Sequence, residues 1–376
     1  MVSLERYREV IDPLPLSGRG HVAKAIRKSI SLYVVFTEYK RRIQILVILV
    51  NRHLVIQRPT FIIHHTFSQR GHEGCVTALH FTNECDITNY QPTLISGSKI
   101  GEIFIWNLKT FRTIYRLKNH DGKPVLYLYY YKSALISHGR NDFLNIWKFQ
   151  NQAWSIIRQL QSPNIAFCAA ELYFTQNSAN IVLFNNNTHT LKIHDYEKEN
   201  VSKTLKMKND GMCMCIKSIE LKSINCLLAG YESGEVGLWY CESEQEISRL
   251  KLHEEPIMCL DYDSQHRNRG VTGSVDKSLR IWTISEDLAL TEVKTVITNS
   301  ELTAVKIRED GKILITGSTD SSIRIFSWKN LKLLALLNFH LQSISVLSCC
   351  PFSIDKQKSV FASGSDDKSI ALWSLY

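Results

Sequence analysis

Seven times this chain of 376 residues writes nearly the same phrase, a step of small residues and glycine followed by an alternating apolar run that ends on an aromatic residue. The copies are ISGSKIGEIFIW ending at Trp106, ISHGRNDFLNIW ending at Trp147, LAGYESGEVGLW ending at Trp239, VTGSVDKSLRIW ending at Trp282, ITGSTDSSIRIF ending at Phe326 and FASGSDDKSIALW ending at Trp373. A worn copy, NNNTHTLKIH, ends at His194. Successive ends lie 41 to 47 residues apart. A fixed period of this size means that one supersecondary unit is made repeatedly, and that each unit buries its apolar surface against the next.

A period in the forties with a Gly-Ser step and a closing Trp is that of the WD-repeat β-propeller, in which each unit supplies four short antiparallel strands. The expected fold is therefore all-β, a seven-bladed propeller. In each copy the Gly-Ser step should end one strand, a polar turn should follow, and the Ile-x-Ile-Trp run should form the next strand with one face buried between blades. In Leu279-Arg280-Ile281-Trp282, Leu279 and Ile281 then share a face and Arg280 takes the other. The turn aspartates Asp276, Asp320 and Asp367 are suited to accept backbone amides of their own turns.

Two blades offer a longer polar chain: His253, Thr272, Asp276 and Trp282 in one, His340, Ser363, Asp367 and Trp373 in the other. A hydroxyl, a histidine and a carboxylate in series suggest hydrolysis, but a catalytic triad occurs once and these sets recur, so they read as blade locks. Other blades lack a member: His72 is matched only by Ile100, His120 by Asn141, and Asp320 has no histidine near Asn299.

The last copy ends three residues before Tyr376, so the seventh blade lacks an outer strand. The β-prone run Thr60–Phe67 stands ready to supply it, closing the ring with an N-terminal strand and removing an exposed edge. Residues 59–376 form the expected propeller and residues 1–58 a basic N-terminal extension. That extension holds eleven Lys/Arg against four Asp/Glu, leaving only +2 of the net +9 for the rest. The propeller then carries no diffuse basic face. Ser31–Phe36 and Ile43–Ile56 are β-prone, and Lys40-Arg41-Arg42 is a short basic cluster of the kind used as a nuclear address. Ten cysteines without a CxxC pair, several of them in apolar runs, read as reduced, buried thiols. The N-terminus lacks a secretory pattern, and the longest apolar run, Ile45–Val50, is far short of the ~20 residues of a membrane span.

No phosphate-binding loop, nucleophile elbow, zinc-protease or calcium-loop motif is present, so no enzyme activity, cofactor, metal or small-molecule substrate is expected. The tyrosines at 127 and 129–131 fit a strand packed against its neighbours. Arg140 in the second blade's turn and, on the same face, His138 and His120 are the candidate partner-binding residues, the Arg140 guanidinium being suited to a partner's carboxylates.

The run from Pro92 through Arg112, with the His138-Gly139-Arg140 turn in place of Ser-Gly-Ser and the chain end from Phe361, resembles the ASTRA-associated protein 1 family and its animal relative, the G-protein β-subunit-like protein 1. The resemblance implies a non-catalytic scaffold of the ASTRA chromatin-remodelling assembly, nuclear, with a cytoplasmic location as the alternative. It further implies protein partners of the Tel and Tti helical-repeat type, cochaperones for PI3-kinase-related kinases. Two other readings stay open: a chromatin- or RNA-binding propeller with a basic tail, and a ubiquitin-ligase substrate receptor.

Overall fold

In a computed structural model of the chain the described residues are 21–27, 30–39, 42–50, 54–55, 61–63, 71–83, 92–118, 120–176, 178–198, 200–207, 211–352, 354 and 360–374. Cys85, Lys40 and Arg41 lie outside them, as do the ends of the run Thr60–Phe67. The chain divides into two units, Met1–Gln57 and Arg58–Tyr376. The first holds one antiparallel sheet of strands β1 (His21–Arg27), β2 (Ile30–Tyr39), β3 (Arg42–Val50) and β4 (Leu54–Val55), in that order. Tyr39 pairs with Arg42 at one hairpin and Arg27 with Ile30 at the other.

The second unit contains seven four-stranded antiparallel sheets and, among the described residues, no helix. Six are simple meanders. Blade 1 begins with Val76–Thr82, blade 2 with Val125–Tyr131, blade 3 with Glu171–Phe174, blade 4 with Cys213–Leu221, blade 5 with Ile257–Asp263 and blade 6 with Leu302–Ile307. Blade 7 takes Ile344–Cys349, Val360–Ser365 and Ile370–Ser374 from the chain end, and its outer strand is β5 (Phe61–Ile63). In that pairing Ile63, Ile62 and Phe61 face Ile370, Ala371 and Leu372. The upstream strand thus closes the ring as the truncated last repeat required.

Seven apolar clusters hold the ring, one at each blade-to-blade junction. Between blades 7 and 1, for example, Val360, Ala362, Ile370 and Leu372 pack with Val76, Leu94, Phe104 and Trp106. Each interior strand has a neighbour on both sides, so the expectation of one buried face is corrected to two. Leu279 and Ile281 pack toward blade 6 while Trp282, one residue on, packs toward blade 4. A period-two strand divides its apolar residues between two junctions, which is why the phrase is apolar nearly throughout. Burying most of each such side chain is worth about 1.5–3 kcal/mol.

The tyrosine run follows the same rule. Tyr130 is buried between blades 1 and 2, and Tyr127, Tyr129 and Tyr131 pack toward blade 3. All nine described cysteines are free thiols.

Candidate functional site

In blades 1, 2, 5 and 7 the phrase brings a hydroxyl, a turn acid and a tryptophan close to a histidine from the preceding loop. In blade 7, His340 Nδ1 meets Asp367 Oδ2 at 3.1 Å and its Nε2 meets Ser363 Oγ at 2.7 Å, while the Trp373 indole donates to the same Oγ at 2.8 Å. In blade 5, His253 meets Asp276 at 2.8 Å and Thr272 at 2.9 Å. There the expected fourth member is absent: the buried Trp282 indole nitrogen has no hydrogen-bond partner. The β-branched Thr272 has a stiff χ1, and its hydroxyl faces His253 and the Arg280 carbonyl instead.

Two blades read as lacking an acid have one beside the histidine, at another place in the turn. His120 Nδ1 bonds Asp142 Oδ2 at 2.8 Å rather than Asn141, its Nε2 meets Ser137 Oγ at 2.9 Å, and the Trp147 indole donates to Ser137 at 2.9 Å. Asp142 sits one residue beyond the expected place because this turn holds only two residues between its strands, Ala134–Gly139 and Asp142–Gln150. In blade 1 the acid is Glu102, not Ile100. Its Oε2 lies 3.7 Å from His72 Nδ1, and Ser96 Oγ joins His72 to the Trp106 indole. Burial opposes the Glu102 charge, yet His72, the Glu73 amide and Arg116 hold its carboxyl well below the usual range. The same balance of burial against His340, Ser369 and the Leu341 amide lowers Asp367.

Asp320 pairs with Arg324 at 2.6 Å and accepts from Ser322. Blade 4 uses another device: the Trp239 indole donates to Tyr231 at 2.8 Å, and Arg249 lies over the Tyr231 ring at 4.4 Å. Ser96, Ser137, Thr272 and Ser363 are wholly buried, so no hydroxyl of the histidine sets reaches a substrate.

His120 and His138 do not face a partner, contrary to expectation: both are fully buried. His138 works inward on the loop between the outer strand of blade 2 and the first strand of blade 3. Its Nε2 meets Ser162 Oγ at 2.8 Å, and its Nδ1 accepts the Ala170 amide at 3.1 Å. Burial pushes its pKa down to about 3, so the ring is neutral and Nε2 carries the proton that goes to Ser162.

Asn164 holds the same loop from inside, donating to the Cys168 carbonyl at 2.6 Å and accepting the Ala166 amide at 3.0 Å. Arg140 holds the apex, its Nε 2.7 Å from the Ile165 carbonyl and its guanidinium 4.3 Å from the Phe167 ring centre. Gly139 between them must be glycine, because a Cβ there would lie 2.5 Å from His120 Nδ1. Alternate loop residues Ala166 and Cys168 are buried, whereas Ile165 and Phe167 are 50% and 55% exposed. The sequence reading singled out Arg140 and missed these two. The available signal was an apolar alternation, Ile-Ala-Phe-Cys, in a connection that polar turn residues would ordinarily fill.

The centre of the ring is a channel of about 500 Å³ lined by His80, Tyr127, Tyr129, Glu171, Lys217 and Lys306 among others. Its charges cancel locally: Lys217 lies 3.3 Å from Glu171 and Lys306 lies 3.6 Å from Asp261. Burial pushes His80 down to about 4, which leaves it neutral beside Tyr129. Among the described residues no three His, Cys, Asp or Glu side chains converge on a metal position.

The WD domain, G-beta repeat, matches residues 244–283, 291–327 and 331–374. The chain is 34% identical over 319 residues to Guanine nucleotide-binding protein subunit beta-like protein 1 of Mus musculus, covering 82% of this chain and 95% of that protein. It is 24% identical over 389 residues to ASTRA-associated protein 1 of Schizosaccharomyces pombe, covering 86% of this chain and 100% of that protein. The protein of the same name from Verticillium alfalfae is 23% identical over 310 residues, 72% and 75% of the two chains. With seven closed blades and near full-length similarity of this kind, the chain belongs to the WD-repeat family of Guanine nucleotide-binding protein subunit beta-like protein 1, to which the ASTRA-associated proteins 1 are related.

Proposed function

We propose that the chain is a non-catalytic, nuclear interaction scaffold of an ASTRA-type chromatin-remodelling assembly. In this reading residues 59–376 are the partner-binding body and residues 1–58 a separate basic extension. The partners are large helical-repeat proteins of the Tel and Tti type that act as cochaperones for PI3-kinase-related kinases. The observation that carries this is similarity across the whole of a protein named for association with ASTRA. The burial of the histidine-bonded hydroxyls supports the non-catalytic part, since the polar sets are spent on joining strands.

The test is affinity purification of the tagged full-length protein from nuclear extract, with mass spectrometry. Recovery of Tel- and Tti-type proteins is the expected result. Their absence alongside cullin components would overturn the reading in favour of a ligase receptor. Release of the bound material by moderate salt together with nucleic acid would overturn it in favour of phosphate binding.

A further inference from the structure

The loop of residues 162–170 presents two large apolar side chains, Ile165 and Phe167, with an arginine laid upon it. We propose that Arg140, Ile165 and Phe167 form a docking surface for a protein segment that carries an apolar side chain beside aspartate or glutamate. The proposal rests on the scaffold reading and adds to it the chemistry of what one face binds.

This loop is built rather than slack. His138 holds both of its ends, Asn164 bonds it from within, and Ala166 and Cys168 are sunk into the junction with blade 4. With the backbone fixed this way, Ile165 and Phe167 are turned out at half exposure, an arrangement that free collapse would reverse. Large apolar side chains held rigidly at a surface lose little conformational entropy when a partner covers them.

Charge decides what accompanies the apolar contact. Arg140 spends its Nε on the Ile165 carbonyl and its face on the Phe167 ring. Among the described residues no carboxylate pairs with it, and no hydrogen bond engages its two terminal nitrogens. Those nitrogens form the fork that fits a carboxylate with two parallel hydrogen bonds. Lys123, on the neighbouring connection, lies 3.5 Å from the buried Asp142, which neutralises it, so the open fork of Arg140 is what selects the acid. An apolar residue set on Phe167 and Ile165 therefore brings a flanking acid to Arg140.

A nucleic acid fits less well. Tracking a phosphate backbone needs a row of cations, whereas the same connection carries the exposed Asp121, and residues 59–376 hold only +2.

The experiment is selection of random displayed peptides on the immobilised full-length protein, with Arg140→Glu and Phe167→Ser as separate baits. Both substituted side chains are partly exposed, so both variants should stay folded, melting only slightly below the parent for the lost contacts of Arg140 with Ile165 and Phe167. The expected outcome is enrichment of peptides that join an aromatic or aliphatic residue to Asp or Glu, binding each variant about tenfold or more weakly than the parent. Arg140→Glu should instead favour basic peptides. Enriched peptides without carboxylates, equal binding by the variants, or competition by poly(U) RNA at the parent would each overturn the proposal. A failed purification of Tel- and Tti-type proteins strikes the scaffold reading alone, whereas a parent that enriches no acidic peptide strikes this surface alone.

Discussion

Blade 7 spends its histidine on itself, whereas blade 2 has a second histidine that it spends on its neighbour. His340 joins Asp367 and Ser363 within one sheet. In blade 2 His120 does the same job, and His138 reaches out to the loop entering blade 3. Space explains where the second histidine is permitted. In blade 6 the matching position is Gly317, whose added Cβ would lie 2.5 Å from Ile344 at the start of the next blade; in blade 1 it is Gly97, 2.6 Å from Val125. Opposite His138 the next blade offers Ala170 and its amide, so a ring fits and finds a donor. One chemistry thus serves either as a lock within a blade or as a brace that shapes the surface of the next, according to the size of one facing residue.

The severest way to break this comparison is to remove what makes blade 7 regular. Deleting residues 59–68 takes away β5 and bares the edge Ile370–Ser374, so soluble folded protein should be lost altogether. Soluble yield and circular dichroism check this, and a deletion variant that melts with the parent would show that the ring does not need the strand.

Next in size are two alanine substitutions. His340→Ala leaves the Asp367 carboxylate and the Ser363 hydroxyl short of a partner and should cost about 3 kcal/mol. His138→Ala leaves only neutral groups, Ser162 and the Ala170 amide, and should cost about 2 kcal/mol. Hydrogen exchange separates them by place: the first should expose amides within blade 7, the second amides of residues 162–170. Equal spreading of both effects would erase the distinction between lock and brace.

How far the sequence discloses these features follows from their range. The blade count, the strand order and the borrowed outer strand were legible because a repeat period and an incomplete last unit are properties of the line of residues. Asp276 and Asp367 were legible because both follow the hydroxyl residue by four positions. Asp142 and Glu102 were not, since they follow Ser137 and Ser96 by five and six. A tighter turn in one case and a longer side chain in the other bring the carboxylate to the same histidine atom. The role of His138 was hidden for a deeper reason: its partners, 24 and 32 residues away, belong to a loop whose course no local pattern fixes.

Acidity sharpens the contrast further. A histidine whose folded pKa is below its unfolded value takes up its proton more readily in the unfolded chain. Its contribution is therefore full above about pH 6.5 and is lost as pH falls toward about 3 for His138. By pH 5 that loss is about 2 kcal/mol. His138→Gln removes the titrating group, so between pH 7 and pH 5 the variant should lose about 2 kcal/mol less stability than the parent. Urea unfolding midpoints at the two pH values measure it, and parallel losses would mean that the imidazole meets solvent.

The smallest effect distinguishes blade 5 from blade 7 through a single methyl group. Where the hydroxyl residue is serine, as at Ser96, Ser137 and Ser363, the blade's tryptophan donates its indole proton to it. Where it is threonine, at Thr272, the Trp282 indole nitrogen is buried without a partner, and at Thr316 the aromatic position holds Phe326. The methyl holds the threonine oxygen toward the histidine and the facing strand, out of the indole's line. Trp373→Phe should therefore cost about 1 kcal/mol more than Trp282→Phe, since both lose similar volume but only the first loses a hydrogen bond. Thr272→Ser frees the oxygen to turn, and should stabilise the parent by about 0.5–1 kcal/mol while leaving Trp282→Phe unchanged. A double-mutant cycle with no coupling between positions 272 and 282 would show that the methyl group is not what silences the indole.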